Sequence, residues 1–341
     1  MSAAPLLPGL PASESPRLIG IARLACEGDA LREGHNVEYF SLPSRSLLNR
    51  CVSKRNFPFE WAINPYRGCE FACKYCYARY THEFMELRDG IDFERKIYVK
   101  QHAAELLRQE LRQVKAGEEI AIGTATDPYQ PAERRWEVTR SILEELARHR
   151  GLSIGIVTKS NLILRDVALL RELGKLNRVF VSLTITTLDV DLARLLEPRA
   201  PRPDLRMEAV RQLNLAGVPA GVNCAPVLPG ITDSLSNLEE VVAAAAAAKA
   251  RNIFANTLFL KPCSAAVFLP FLEQAFPHLV ETYRKRYDGR AFLPPVYTRR
   301  VSDMMNQLRK KYGFHKPARQ DRYEDYAMEQ PPPVDDQMKL F

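Results

Sequence analysis

The chain has 341 residues, 46% of them apolar and 26% charged, which allows one large domain with extensions or two small ones. No uninterrupted apolar run approaches the ~20 residues that cross a bilayer, and the N-terminus lacks the charged-then-apolar pattern of an export signal, so a cytoplasmic, membrane-free protein is expected. Seven cysteines, an odd number, argue against a disulfide framework, and a net charge of +7 suits a polyanionic partner.

Residues 1–55 read as an irregular N-terminal segment, punctuated by Pro5, Pro8, Pro11 and Pro16. A strand near 61–64 then leads through Pro65-Tyr66-Arg67-Gly68 into a cysteine-rich loop, and a helical stretch begins at Ala78-Arg79-Tyr80. Apolar runs at 96–99, 120–124, 153–158, 179–184, 220–225 and 253–260 read as buried parallel strands. Helix-patterned segments lie between them at 101–115, 137–148, 164–173, 205–215 and 238–250. Such alternation implies βαβ units and a parallel sheet. It repeats about six times over roughly 200 residues, the count of an open partial (β/α)6 TIM-type barrel. The expected fold class is therefore α/β, with the barrel core at 56–262 and a helical C-terminal extension at 263–320. Within that extension the helical pattern runs 269–287, with a break at Pro277, and then 302–312. Residues 321–341 form a polar tail in which Pro331-Pro332-Pro333 is a stiff spacer.

The loop after the first barrel strand reads Cys69-Glu70-Phe71-Ala72-Cys73-Lys74-Tyr75-Cys76. Three thiolates this close can hold three irons of a [4Fe–4S] cluster and leave the fourth open to a small molecule. Zinc is the alternative, because His82 follows closely and zinc also takes short C-x2-C loops. Cys26, Cys51, Cys224 and Cys263 have no ligand-like spacing and read as small buried apolar residues.

With Tyr75 directly before the last cysteine, the motif resembles that of the radical SAM enzymes. The resemblance implies a six-stranded partial barrel with the cluster loop after its first strand. It also implies an open iron that binds the amino and carboxylate groups of S-adenosylmethionine, and an electron donor such as flavodoxin or ferredoxin. One-electron cleavage of the sulfonium then gives a 5′-deoxyadenosyl radical.

Barrel chemistry sits at the C-terminal strand ends, and polar residues gather there. Lys159 suits the methionyl carboxylate, Ser182 can donate a hydrogen bond to it, and Tyr75 is expected to pack near the adenine. Asp127 and Tyr129 are the candidate catalytic residues, orienting substrate or a proton. Thr158, Pro198 and Pro226 are better read as turn residues.

Asn64-Pro65-Tyr66-Arg67-Gly68-Cys69, Cys73 to Tyr77, Thr126-Asp127-Pro128-Tyr129-Gln130-Pro131, Thr158-Lys159-Ser160, residues 181–184 and Ala225-Pro226-Val227-Leu228-Pro229-Gly230 resemble one branch of these enzymes, the spore photoproduct lyase-like DNA repair photolyase homologues. The resemblance spans residues 64 to 233 and matches Lys159 and Ser182 to positions that contact S-adenosylmethionine. It implies a lyase-like reaction on a damaged or modified nucleic acid base, DNA first. That branch uses a cysteine on the strand carrying 123–127 as hydrogen donor, where this chain has Thr124 and Thr126. Either Cys224 or Tyr129 takes its place, or the reaction differs. Radical modification of RNA, a protein or a metabolite stays open, as does a zinc-stabilised nucleic-acid-binding module without redox chemistry.

Two further features point to partners. Arg299, Arg300, Arg309, Lys310, Lys311, Lys316, Arg319 and Arg322, interleaved with Tyr312, Phe314 and Tyr323, suit phosphates and bases, although basic residues also favour helix ends. Gln337-Met338-Lys339-Leu340-Phe341 resembles the peptide that bacterial repair proteins insert into the sliding clamp, with Gln337 as anchor and Leu340 and Phe341 as the apolar plug.

Overall fold

A computed structural model describes residues 18–34, 36–51 and 59–314. The clamp-like peptide and Lys316, Arg319, Arg322 and Tyr323 lie outside the described residues. The N-terminal part carries a helix, Gly20–Cys26, and strands β1 (Ala30–Gly34), β2 (Val37–Leu42) and β3 (Leu48–Arg50), where the sequence analysis expects irregular chain. The run Val37-Glu38-Tyr39-Phe40 is strand-prone, but its partner lies far along the chain and local periodicity cannot reveal it.

The barrel begins at β4 (Trp61–Ile63), and the short β5 (Tyr66–Arg67) follows at once. Strand β6 (Lys96–Lys100) does not join the barrel, which corrects the expectation that 96–99 is one of its strands. It pairs in parallel with β2 and antiparallel with β5, in a separate four-stranded sheet of order β1-β2-β6-β5. An apolar run reports burial on both faces but not which sheet provides it.

The barrel strands then follow in order: β7 (Glu119–Ile122), β8 (Ser153–Thr158), β9 (Arg178–Thr184), β10 (Ala220–Val227) and β11 (Ile253–Thr257). Each pairs in parallel with the next, from β4 to β11, and β3 adds antiparallel to the outer edge of β4. The sheet order β11-β10-β9-β8-β7-β4-β3 does not close on itself, so the expected open six-stranded partial barrel is what forms.

Side-chain alternation sorts the strands into an outer and an inner face. Ile154, Ile156, Val179, Val181, Leu183, Val222 and Cys224 point outward and are buried in the main core. Over them lie the helices Val138–Leu146, Val167–Leu176, Pro203–Leu215 and Leu235–Ala247, whose apolar stripes join the same core. Capping fixes where two elements start: Asp189 accepts from the Asp191 and Leu192 amides, and Ser234 from the Asn237 amide.

Inward positions are small or half-exposed. Gly155 pairs with Phe180, and Ser182 with Gly221. A Cβ at Gly221 would stand 2.9 Å from Phe180 Cζ and 2.1 Å from Asn252 Oδ1, so glycine makes room for the ring that fills the barrel floor. The extension adds helices Pro262–Ala275, Val280–Tyr287 and Pro295–Lys311, with the expected break at Pro277. No helix among the described residues is long and apolar enough to cross a membrane.

Candidate functional site

The cysteine loop leaves β5 through Gly68, whose φ is +84°. A side chain there would be strained, and its Cβ would come within 2.7 Å of the Lys96 carbonyl. Backbone bonds then hold the loop from several sides. The Cys69 amide donates to the Phe93 carbonyl (2.9 Å), the Lys74 amide to the Leu196 carbonyl (2.9 Å) and the Arg199 amide to the Phe71 carbonyl (3.3 Å). Ser264 Oγ donates to the Cys76 carbonyl at 2.9 Å, and Arg79 Nη2 to the Cys73 carbonyl at 3.0 Å. Arg79 is itself buried and paired with Glu94 at 2.8 Å.

The loop after β7 is the main brace. Thr126 Oγ1 and Gln130 Nε2 both donate to the Gly68 carbonyl, at 2.5 and 3.2 Å. Gln130 Oε1 accepts from the Glu70 amide, and Glu70 accepts from the Ala132 amide and the Tyr39 hydroxyl. Asn64 accepts from the Ala125 amide at 2.7 Å. The stretch Thr126 to Gln130 thus supports the cysteine loop rather than facing a ligand.

Asp127 follows that pattern. Its carboxylate is buried and accepts from the Tyr129 amide (2.9 Å), Thr158 Oγ1 (2.6 Å) and the Lys159 amide (2.7 Å). Those donors answer the upward pull of burial on its pKa without fully cancelling it. Asp127 therefore positions the backbone of Lys159. Tyr129 is 1% exposed and sits in the main core, its phenol beside Asp166, Glu133 and Arg165. Where the sequence reading expects these two to orient substrate, the structure has the Asp127 carboxylate accepting three bonds from the protein and the Tyr129 phenol facing the helix layer.

The three thiols lie close enough to act on one another electrostatically, and none is in a disulfide. Burial pushes the Cys73 thiol up to about 12, even with the Lys159 ammonium nearby, and raises Cys69 as well. Buried thiols in this state hold their protons, whereas coordination to a metal deprotonates them outright. A trio of uncommitted thiols on a braced loop, beside an ammonium, fits an iron–sulfur cluster.

A zinc tetrahedron completed by His82 does not form. His82 is 1% exposed, its ring nitrogen Nε2 meets the Lys96 carbonyl at 3.0 Å, and its ring packs edge-on against Phe93. Among the described residues no three His, Cys, Asp or Glu side chains gather around a single-ion position.

Behind the cysteines is a buried charged group that the sequence reading did not assemble. Glu197 and Arg206, each 1% exposed at the side chain, pair at 2.5 Å. The Tyr75 hydroxyl donates to the other Glu197 oxygen, and Arg206 also donates to the Thr184 carbonyl at 3.1 Å. Burial works against the Glu197 carboxylate, but Arg206 and Lys159 overcome it and hold its pKa low. Burial likewise works against the Lys159 ammonium; a thiolate at Cys73, together with the Glu197 carboxylate, would overcome it. Tyr75 is 4% exposed, with the Lys159 Nζ 5.6 Å above its ring. Its ring is enclosed by apolar neighbours and its hydroxyl is engaged, so it serves as a strut where adenine packing was expected. Arg206 did leave a signal: it falls on the buried stripe Arg206, Ala209, Val210 and Leu213 of its helix.

Ser182 lies on the inner face of β9, half-exposed, level with Val157 and Gly221. The structure thus brings Lys159 to the cysteines and leaves Ser182 open to the barrel. Cys224 is 1% exposed on the outer face of β10, its thiol pushed up to about 12 by burial. Neither Cys224 nor Tyr129 therefore replaces the missing cysteine inside the barrel.

Comparisons agree with this geometry. The radical SAM superfamily sequence model matches residues 63–245. The chain is 35% identical over 286 residues to the uncharacterized protein Rv2578c of Mycobacterium tuberculosis, covering 83% of this chain and 84% of that one. It is 27% identical over 252 residues to the uncharacterized protein MJ0683 of Methanocaldococcus jannaschii, covering 74% and 87%. Among solved structures, a spore photoproduct lyase variant superposes with a TM-score of 0.62 at 18% identity, over 80% of this chain and 79% of that one. Another, holding AdoMet and a dinucleoside spore photoproduct, gives 0.60 at 18% identity over the same shares of the two chains; at that identity the likeness concerns the fold. With more than half of its length matched, and the cysteine loop where that fold places it, the chain belongs to the radical SAM superfamily.

Proposed function

We propose that this radical SAM enzyme binds a [4Fe–4S] cluster through Cys69, Cys73 and Cys76 and acts on a damaged or modified nucleic acid base, DNA first. The observation that carries the reading is the convergence of three uncommitted thiols with the Lys159 ammonium at the C-terminal end of the barrel. When bound, the cluster and S-adenosylmethionine supply a 5′-deoxyadenosyl radical through one-electron cleavage of the sulfonium.

The chain's own residues prepare the place for that chemistry. Lys159 is held by Asp127 at its backbone and by Glu197 electrostatically, which leaves its ammonium to pair with a methionyl carboxylate. Ser182 offers a hydroxyl on the inner wall. Glu197 and Arg206 lock Tyr75, and through it the last turn of the cysteine loop. The nucleic acid substrate is supported by the net charge of +7 and by the dinucleoside lesion in a structural neighbour. Thr124 and Thr126, with Cys224 turned outward, indicate a different hydrogen return from that of the lyase.

The test is iron and sulfide content after anaerobic purification, then product analysis with dithionite and S-adenosylmethionine. Iron with 5′-deoxyadenosine, formed faster with ultraviolet-irradiated DNA than with intact DNA, is the expected result. Zinc in place of iron after attempted reconstitution would defeat the enzymatic reading. Cleavage indifferent to any nucleic acid would defeat the substrate.

A further inference from the structure

Beside the cysteine loop, aromatic rings and cations form a strip that none of the roles above uses. Phe84 meets Tyr80 edge-on at 5.8 Å. Lys261 Nζ stands 3.5 Å over the Tyr80 ring and 5.9 Å from Phe259. Phe259 is 6.2 Å from Tyr77 and stacks on Phe292 at 4.2 Å. Phe84 and Tyr77 keep 58% and 42% of their surface exposed. The strip reaches the barrel mouth, since the Tyr77 hydroxyl donates to the Thr124 carbonyl at the end of β7.

Its charge is one-sided. Arg67 faces Tyr80, and Lys100 lies next to Arg67. Among the described residues, Arg67, Lys100 and Lys261 make no ion pair, and Arg67 Nε is buried without a hydrogen-bond partner. Burial and the neighbouring Arg67 hold Lys100 down to about 7, against an opposing pull from the Glu110 carboxylate. Glu83, the carboxylate on the same short helix, is turned to the Cys263 thiol.

We propose that this strip holds a single-stranded polynucleotide next to the reactive base, with bases against Phe84 and Tyr77 and phosphates against Lys261 and Arg67. The inference rests on the nucleic acid reading above and adds where the strand runs. Exposed rings alternating with unpaired cations match bases alternating with phosphates, and base stacking on aromatics tolerates any sequence. A peptide would need acidic residues to satisfy the same cations, and it gains less from the rings.

Fluorescence anisotropy with labelled oligo(dT) and oligo(U), on the full chain with its cluster, tests the strip. Phe84→Ala and Lys261→Gln should each weaken binding about tenfold, the scale of one lost base stack or phosphate contact, at unchanged iron content. Lys261→Arg should restore it, and the affinity should fall with added salt. Wild-type affinity in both weakened variants would overturn the strip and leave the nucleic acid reading standing. No binding of either oligonucleotide by the wild-type chain would overturn both. Stronger displacement of bound oligonucleotide by an acidic peptide than by unlabelled oligonucleotide would overturn the strip in favour of a protein partner.

Discussion

Strands β4, β7 and β8 commit the polar residues at their ends to hydrogen bonds within the protein, those of Thr126 and Gln130 on the cysteine loop, while β9 and β10 leave theirs facing the barrel. On the first side Asn64, Thr126, Asp127, Gln130 and Thr158 all make hydrogen bonds within the protein. On the second, Ser182 and Asn223 are half-exposed and make no side-chain hydrogen bond among the described residues, and Thr186 Oγ1 is buried without a partner. Committed groups hold a loop still; uncommitted ones are free to meet a ligand. The two halves of one fold thus divide support from recognition.

Substitutions on the two sides should therefore differ in kind. The largest effect is expected from Cys73→Ala, which should abolish bound iron and sulfide; wild-type iron in that variant would remove Cys73 from the ligand set. Glu197→Gln should come next. It leaves Arg206 buried beside an uncharged partner, a loss of about 3–5 kcal/mol, read as a lower urea midpoint.

A pH effect of similar size should come from His82. Burial holds its pKa down to about 4, from an ordinary 6.5, so the unfolded chain takes up its proton first. Stability contributed by neutral His82 is complete above pH 6.5 and falls as pH drops towards 4, by about 3 kcal/mol. His82→Gln should flatten that part of the stability profile, and an unchanged slope would assign the acid sensitivity elsewhere. On the uncommitted side, Ser182→Ala should shift stability by no more than about 0.5 kcal/mol. It should weaken S-adenosylmethionine binding about fivefold, the worth of one hydrogen bond, by calorimetry on the reconstituted enzyme. A large stability loss there would break the division.

What the sequence made legible follows the same line. The cysteine loop was readable because its three cysteines are local, packed into one short stretch of chain. The barrel strands were readable because short apolar, β-branched runs between turn residues mark them, as in 153–158. Strand 96–99 carries the same signature and belongs to another sheet, since pairing partners are not written locally. Asp127 reads as orienting substrate or a proton because a carboxylate at a strand end is ambiguous until its donors are seen. Glu197 and Arg206 escaped because folding joins them across a proline-rich connection. Cys224, one of the alternatives for the hydrogen donor, is removed from that role by parity: with Val222 it shares the outward face of β10.

The meeting of the first and last parts of the barrel has a mechanical meaning. Every other neighbouring pair of barrel strands is laced by a backbone ladder. At the mouth, the gap between the cysteine loop and the chain after β11 is spanned by side chains: Tyr77 against Phe259, Lys261 over Tyr80, and Ser264 on the Cys76 carbonyl. Ring contacts of this kind contribute about 0.5–1.5 kcal/mol each, and one hydrogen bond about 1 kcal/mol. The circumference therefore has one weak link, a clasp rather than a weld, and it lies directly beside the cysteines.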